Sequence, residues 1–304
     1  MTENTETIFA TETQRKASLR VAVSLWQTLS LCSPFSSVSR WRRVAAVVAS
    51  IAIVAVSAYA QRGFGGYGGY RMPAGPLPNV PYDGRFTFVR VRYETARGGY
   101  WAGGRPSWIH GYPIAERNLM KIMNEVSYLG AHDDDINTVT LDDPALFKYP
   151  LAYIIEVGWW TLTDVEAKAL RAYLLKGGFL IVDDFKMSGW RGIPGAGWEP
   201  FEANMQRVLP GVQFLEMRPD DPIFHCFFEI ENLDNFPQAY NSGPAIFRGV
   251  YEDNDPRKRL LAIVNYNTDI SQYWEWSGRG LRPFDETNEA YKLGVNYLIY
   301  GLTH

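Results

Sequence analysis

Between residues 85 and 185, short apolar runs alternate with stretches in which apolar residues recur at helical spacing. The runs are rich in β-branched and aromatic residues, which is typical of strands. Helical spacing predicts helices over residues 115–129 and 163–176. The predicted strands are residues 86–93, 138–141, 151–157 and 179–182.

The second of these helices and the strand after it carry the clearest local signals. Thr163 and Glu166 form a capping box at the start of the helix, and Gly177 ends it. The four apolar residues of the following strand run directly into two aspartates, a pattern typical of a central strand in a parallel sheet. The alternation of strands and helices with short connections predicts an α/β domain with a doubly wound, mostly parallel sheet.

The second half of the chain is less regular. We predict a short helix over residues 201–208, a pair of strands at 245–251 and 260–265, and a final helix over 286–300. Together with the elements of the first half, they are expected to form a single α/β domain over residues 85–304.

Residues 44–60 are uncharged and dominated by Ala, Val and Ile, and an arginine-rich flank precedes them. They end on a small-x-small pattern, as signal peptides do, and their length is at the short limit of a membrane span. We therefore predict a signal peptide cleaved after Ala60 or, alternatively, an uncleaved anchor in the membrane. Either places the rest of the protein outside the cytoplasm, in the periplasm or anchored at the inner membrane, because positive residues stay inside.

The two segments that flank this apolar stretch show no hydrophobic period. Residues 1–43 are predicted to be a disordered N-terminal extension. Residues 61–84 are rich in Gly, Tyr and Pro and are predicted to be a flexible linker.

The charge of the chain limits the kinds of partner it can bind, and its cysteine content limits its disulfides. Residues 1–60 hold six Lys/Arg and three Asp/Glu, so the remaining residues carry a net charge of −6 although the whole chain carries −3. An acidic domain is not expected to bind nucleic acid. Cleavage after Ala60 would leave Cys226 as the one cysteine, so we expect no disulfide within the mature chain.

Three carboxylates follow the predicted strands at the point where each strand ends: Glu156, Asp183 and Asp184. In parallel sheets, ligands bind beyond the carboxyl ends of the strands. Such acids suit general acid–base chemistry or hard cations, but an aspartate at a strand end also caps helices or pairs with arginine. The chain has no H-E-x-x-H, P-loop or zinc-spaced cysteines, so we predict no metal and no cofactor.

A second candidate group follows the strand at residues 260–265. If that strand continues, Asn265, Asn267 and Asp269 project to one side. Trp274 and Trp276, which flank Glu275, could form an apolar platform with one hydrogen-bonding group. The alternative is that the asparagines build turns and the tryptophans pack in the core.

His225 and Cys226 are adjacent, which invites comparison with a Cys–His nucleophile. A nucleophile elbow needs small neighbours, whereas bulky Ile and Phe residues surround this pair. We therefore expect Cys226 to be a buried small apolar residue and keep His225 as a candidate ligand-binding residue.

Several stretches resemble domain-of-unknown-function family 4159, a group of bacterial exported or membrane-attached proteins. The matching stretches include Gly177 to Phe185, Asp221 to His225, Arg248 to Tyr251, Asn265 to Trp276 and Leu293 to Tyr297. The resemblance implies a flavodoxin-like domain similar to class I glutamine amidotransferases, without an established activity. The Cys-His-Glu triad of those enzymes is not carried over, because Asp183 stands where their nucleophile would be.

These observations favour a non-catalytic module of the cell envelope that binds a small polar ligand or an envelope protein at the strand ends. The alternative is a hydrolase of carbohydrate or another envelope polymer, with Asp183 or Asp184 as acid or base. Both hypotheses require the strand-end acids and the tract that begins at Asn265 to meet at one edge of the sheet.

Overall fold

The computed structural model describes residues 75–101, 103–186, 197–236 and 243–304. The predicted extension, the apolar stretch at 44–60 and most of the predicted linker lie outside these ranges. Among the described residues, no helix combines the length and the apolar character needed to cross a bilayer.

Seven strands form one sheet in the spatial order β4-β1-β5-β6-β9-β8-β7. The first five in this order are parallel, β8 runs antiparallel to β9, and β7 runs antiparallel to β8. The strands are β1 (Val89–Val91), β4 (Asn137–Val139), β5 (Leu151–Ile155), β6 (Phe179–Phe185), β7 (Leu215–Glu216), β8 (Ile246–Tyr251) and β9 (Leu260–Tyr266). The short antiparallel pair β2 (Tyr100–Trp101) and β3 (Arg105–Pro106) lies in the connection that follows β1.

In the part of the chain that the structure describes, five α-helices accompany the sheet: α1 (Ile114–Val126), α2 (Asp164–Leu175), α3 (Trp198–Val208), α4 (Ile270–Glu275) and α5 (Phe284–Thr303). The capping box predicted for α2 is present: Thr163 Oγ1 accepts a hydrogen bond from the backbone N–H of Glu166, and the Glu166 carboxylate accepts one from that of Thr163. Its two bonds satisfy amides that the first helical turn leaves without partners.

The helices cover both faces of the sheet. From β1 the chain crosses through α1 to β4 on one side, and from β5 it crosses through α2 to β6 on the other. Because such crossovers are right-handed, α1 and α2 lie on opposite faces. Consistent with this, α1, α4 and α5 contact one another, whereas α2 contacts α3. The chain therefore forms an α/β domain around a mostly parallel sheet, as the alternation of predicted elements indicates.

The predicted linker contributes directly to the sheet. Asn79 exchanges two hydrogen bonds with the backbone of Thr138 in the edge strand β4, at 2.7 and 2.8 Å, and Val80 donates its N–H to Asn137 Oδ1 at 2.9 Å. These contacts occupy groups that an edge strand would otherwise expose. The ordered part of the domain thus begins before residue 85.

Most predicted elements occur within a few residues of their expected limits. For the tract from Asn265, a continued strand and a turn were both open, and the structure has the turn. Strand β9 ends at Tyr266, Asn267 adopts a left-handed backbone with φ of 56°, and Asp269 caps α4. A residue in that conformation turns the chain out of the extended path, so the alternating pattern ends there.

Helix α4 packs closely against α5 at a glycine. A Cβ atom placed on Gly294 would lie 2.6 Å from Cζ2 of Trp274 and 2.8 Å from Cδ1 of Leu119. The glycine therefore allows the indole of α4 to approach the backbone of α5, and this contact holds α4 beside the sheet.

We predict that Gly294→Ala destabilises the protein. In an exposed helix this change would stabilise by about 1 kcal/mol, but overpacking at this contact should cost about 1–3 kcal/mol. Guanidinium unfolding of the full chain measures the difference, with the exposed α5 substitution Asn288→Ala as the control. A Gly294→Ala chain more stable than the wild type would contradict the packing described for α4.

Candidate ligand-binding site

The carboxyl edge of the parallel strands collects most of the acidic residues that the sequence singles out. Glu156 follows β5, Asp183 and Asp184 end β6, and Asp269 lies in the turn after β9. All four are buried. Carboxylates buried this deeply need hydrogen bonds or charged partners, and those partners decide what each residue can do.

Asp183 is fully committed to holding the fold together. Its carboxylate accepts hydrogen bonds from Tyr153 Oη at 2.7 Å and from the backbone N–H groups of Ile270 and Ser271 at 3.2 and 3.0 Å. Asn265 Nδ2 donates a fourth at 3.3 Å. Burial raises the pKa of Asp183 to about 6, although the Tyr153 hydroxyl and the two amides favour the charged form. The residue therefore joins β5, β6, β9 and α4.

The Asp184 side chain does not face α4 as Asp183 does, because strand β6 is irregular at this residue. Its φ is 51°, and the pairing of β6 with β9 shifts register between Val182 and Phe185. As a result Asp183 faces α4, while the ring of Phe185 packs 5.1 Å from that of Phe201 in α3. The irregularity turns the Asp184 carboxylate away from α4 and toward a third segment of the chain.

That third segment brings His110, from the connection between β1 and α1. Its Nδ1 lies 3.0 Å from Asp184 Oδ2 and 3.6 Å from Glu156 Oε1. The three side chains come from three different strand ends, and one atom of each lies within 4.8 Å of the others. We call His110, Glu156 and Asp184 the acid–histidine cluster.

Two contacts hold His110 in place. The buried Arg90 of β1 donates from Nη1 to the carbonyls of Trp108 and His110, at 2.8 and 3.2 Å. The imidazole also stacks on the indole of Trp101 in the β2–β3 hairpin, with ring centres 4.7 Å apart. The position of His110 therefore depends on packing around the loop as well as on its ion pair.

The positive charge of Arg90 is balanced by a buried carboxylate. It forms an ion pair with Glu116 of α1, and its guanidinium carbon lies 4.8 Å above the ring of Tyr153. Both charged side chains are fully buried. Removing either partner would leave an uncompensated charge in the core, which is strongly destabilising.

The acid–histidine cluster shifts the pKa values of its members in different directions. Burial opposes the charged form of His110, but the hydrogen bond and charge of Asp184 raise its pKa to about 10. Burial also opposes ionisation of Asp184, but the same hydrogen bond holds its pKa below the ordinary value. Burial and the charge of Asp184 raise the pKa of Glu156 well above its usual range. The hydrogen bond between His110 and Asp184 thus favours an imidazolium–carboxylate pair, and burial favours the neutral form of Glu156.

Asp269 and the two asparagines build the turn after β9. Asp269 accepts hydrogen bonds from the N–H of Gln272 at 2.9 Å and from Ser271 Oγ at 2.8 Å, and burial raises its pKa to about 8. Asn265 Oδ1 accepts a hydrogen bond from Tyr297 Oη at 2.8 Å. Asn267 Nδ2 donates to the Pro244 carbonyl at 3.0 Å. The tract does meet the strand-end acids, mainly through Asn265 and Asp183.

Trp274 occupies the core and offers no exposed platform. It is 2% exposed, and its Nε1 donates to the Ala290 carbonyl at 2.9 Å. Glu275 is also buried, and its Oε2 lies beside Gly111, the residue after His110. Burial raises the pKa of Glu275, and its Oε1 has no hydrogen-bond partner in the described part of the chain.

His225 is not drawn into the cluster. Its two ring nitrogens face the Glu229 carboxylate and the Pro219 carbonyl. Cys226 is half-buried, its Sγ lies 3.2 Å from the Asn296 carbonyl, and burial raises its pKa to about 11. A thiol with a raised pKa holds little thiolate at neutral pH, so this pair lacks an activated nucleophile.

Sequence reasoning missed His110. The histidine stands alone in an irregular stretch, and no metal-ligand spacing surrounds it. One signal was available: the connection that follows the first parallel strand must begin at the same edge as those that follow β5 and β6. A histidine in that connection was therefore a candidate on topology alone.

We predict that Asp183→Asn lowers the free energy of unfolding. The NH₂ group of the new asparagine would face groups that are themselves hydrogen-bond donors. Each buried donor left without an acceptor costs about 1–3 kcal/mol. Urea unfolding of the full chain measures this loss. Asp142→Asn is the matched control, because Asp142 is exposed, and its effect should stay within about 0.5 kcal/mol. Equal stability of the two variants would refute the role given to Asp183.

Comparison with known proteins agrees with the resemblance seen in the motifs. The sequence model of the family described as Domain of unknown function (DUF4159) matches residues 87–302. None of the curated proteins compared with the chain matches it. The family match covers well over half of the chain and runs from the residues just before β1 into the last turn of α5. The chain therefore belongs to the DUF4159 family.

Proposed function

We propose that this domain is a non-catalytic module of the cell envelope, which binds a small ligand carrying positive charge or hydrogen-bond donors. The ligand site is the acid–histidine cluster. The observation that carries the proposal is the meeting of His110, Glu156 and Asp184, where one carboxylate oxygen of Asp184 has no hydrogen-bond partner among the described residues.

The number of carboxyl groups around the cluster favours a ligand of this kind, although His110 and the buried Lys186 already supply positive charge to Glu156 and Asp184. Five carboxylates gather at this edge: Glu156, Asp183, Asp184, Asp269 and Glu275. Oδ1 of Asp184 and Oε1 of Glu275 are buried without a hydrogen-bond partner among the described residues. An unsatisfied buried acceptor costs about 1–3 kcal/mol, so a donor or cation from a ligand would recover that energy.

The backbone at this edge adds support. Glu156, Asp184 and Asn267 all have positive φ, between 51° and 56°. Such conformations cost about 1–3 kcal/mol each in a non-glycine residue and cluster at functional sites. Glutamate is less suited than aspartate or asparagine to this region. The strained Glu156 is thus difficult to explain by the needs of the fold alone.

The order of the strands gives further support. When the five parallel strands β1, β4, β5, β6 and β9 are renumbered 1 to 5 along the chain, their order across the sheet is 2-1-3-4-5. This is the strand order of flavodoxin-like domains. In such domains the ligand lies where the strand order reverses, here between β1 and β5. His110 follows β1 and Glu156 follows β5. On this basis we assign a doubly wound, flavodoxin-like fold related to the amidotransferase-like domains, with the site at its reversal point.

The alternative hydrolase receives less support from the same contacts. Asp183 accepts four hydrogen bonds, two of them from the first amides of α4. Asp184 is 1% exposed and paired with His110. An acid or base must reach the proton that it transfers. Internal partners occupy the whole Asp183 carboxylate, and His110 holds one oxygen of Asp184. Binding therefore explains the arrangement better than hydrolysis.

We predict that small cationic ligands stabilise the protein through the cluster. Thermal unfolding of the full chain is measured with amines and guanidines, with neutral sugars, and with carboxylates. A ligand at about 100 times its Kd should add about 2.7 kcal/mol of stability, which raises Tm by several degrees. The cationic compounds should give this shift and the carboxylates should not.

Glu156→Gln and Asp184→Asn should remove the shift, because each replaces a carboxyl group that the ligand would contact with an amide. Glu156→Gln should leave the stability of the ligand-free chain within about 0.5 kcal/mol of the wild type, since burial already favours the neutral form. Asp142→Asn should keep the full shift. A shift that survives both cluster variants would place the ligand elsewhere, and turnover of a glycan would support the hydrolase.

The envelope location makes a separate prediction. Residues 1–60 fused to alkaline phosphatase, which is active only outside the cytoplasm, should give an active reporter in a bacterial host. The same fusion without residues 44–60 should be inactive, because the apolar segment drives export. An inactive full fusion would contradict the proposed location without affecting the ligand site.

A further inference from the structure

We infer that His110, Glu156 and Asp184 form a binding site for one divalent transition-metal ion, such as Mn²⁺ or Zn²⁺. This inference rests on the proposed function, because it identifies the positively charged ligand. It departs from the sequence-based prediction of no metal, because no local motif marks His110 as a ligand.

The geometry of the three side chains suits a single ion. Nδ1 of His110 lies 3.0 Å from Asp184 Oδ2 and 3.6 Å from Glu156 Oε1. Two ligand atoms bonded to a tetrahedral ion at about 2.1 Å are separated by about 3.4 Å. The two separations from His110 lie on either side of that value, and all three ligand atoms lie within 4.8 Å of one another. Small side-chain rotations would therefore place all three atoms around one metal.

A second, independent observation points to a ligand at this position. Asp184 is 1% exposed, and its Oδ1 has no hydrogen-bond partner among the residues that the structure describes. The other oxygen of the same carboxylate faces His110. A cation seated between the three side chains would give both oxygens a partner, whereas the imidazole alone reaches one.

The donor set favours a transition metal over Ca²⁺ or Mg²⁺. Ca²⁺ takes six to eight oxygen ligands, and Mg²⁺ usually keeps several waters, while imidazole nitrogen suits Zn²⁺ and carboxylate oxygen suits Mn²⁺. In the metal-free chain His110 supplies positive charge to the two carboxylates, together with Lys186. A metal ion takes over that charge and keeps neutral His110 as a ligand. The buried Glu275 beside Gly111 adds negative charge close by.

A second histidine offers a matched comparison. His132 also lies between two carboxylates, but its Nε2 faces Asp83 at 3.1 Å and its Nδ1 faces Asp135 at 3.7 Å. The two acids contact opposite sides of the ring, so they cannot share one ion with it. In the acid–histidine cluster, the same nitrogen faces both carboxylates. This difference predicts metal binding at His110 and none at His132.

The test is titration calorimetry of the full chain, stripped with a chelator, with Mn²⁺, Zn²⁺ and Ca²⁺. Wild type should bind one Mn²⁺ or Zn²⁺ per chain and bind Ca²⁺ far more weakly. His110→Gln and Asp184→Asn should weaken Mn²⁺ binding by about 100-fold or more, at or beyond the loss caused by removing an outer-shell partner. His132→Gln should bind as wild type does, and thermal unfolding shows whether each variant is folded.

Electron spin-echo spectroscopy of the Mn²⁺-loaded wild type keeps the inference testable if a variant does not fold. Coupling to one histidine nitrogen should be present in the wild type and in His132→Gln. Lack of Mn²⁺ and Zn²⁺ binding, binding without nitrogen coupling, or full binding by a folded His110→Gln chain would each overturn the inference. If Mn²⁺ and Zn²⁺ do not bind but organic cations still bind through Asp184, the proposed function is supported and the metal site is refuted. If neither class binds, both fail.

Discussion

The buried carboxylate of Asp183 is the interaction on which this domain depends most. It receives the Tyr153 hydroxyl from β5, the Asn265 amide from β9 and the first two amides of α4, so one side chain joins three strands to a helix. Helix α4 has only six residues, and a helix that short is not stable by itself. Its position follows from the carboxylate at one end and from the contact of Trp274 with Gly294 at its side.

Asp183 is used by the fold, whereas the adjacent Asp184 contacts His110 instead of α4. The left-handed residue in β6 separates the two aspartates, so that one faces the helix layer and the other faces His110. Several acids are buried at this edge, and positive charge from His110 and Lys186 acts on Glu156 and Asp184. Such an arrangement is poor for stability and well suited to a ligand that brings positive charge.

Much of the architecture was accessible from the sequence, and the geometry of the site was not. The capping box at Thr163 and the apolar run of β6 are local signals, and both predictions are confirmed. Asp183 and Asp184 were assigned one shared role because they are adjacent, whereas the irregular strand gives them different roles. Trp274 looked equally suited to a platform or to the core, because spacing alone carries no information about which face a short helix buries.

By itself, the sequence determined the alternation of strands and helices, the family, and the acids at the strand ends. Each of these depends on residues close together in the chain. Only the tertiary structure decided that His110 joins Glu156 and Asp184, that Asp183 is used internally, and that His225 lies apart. Those outcomes depend on strand order, on a single left-handed residue in β6, and on the path of the connection after β1. Contacts between residues far apart in the chain set all three, and no local pattern of amino acids encodes them.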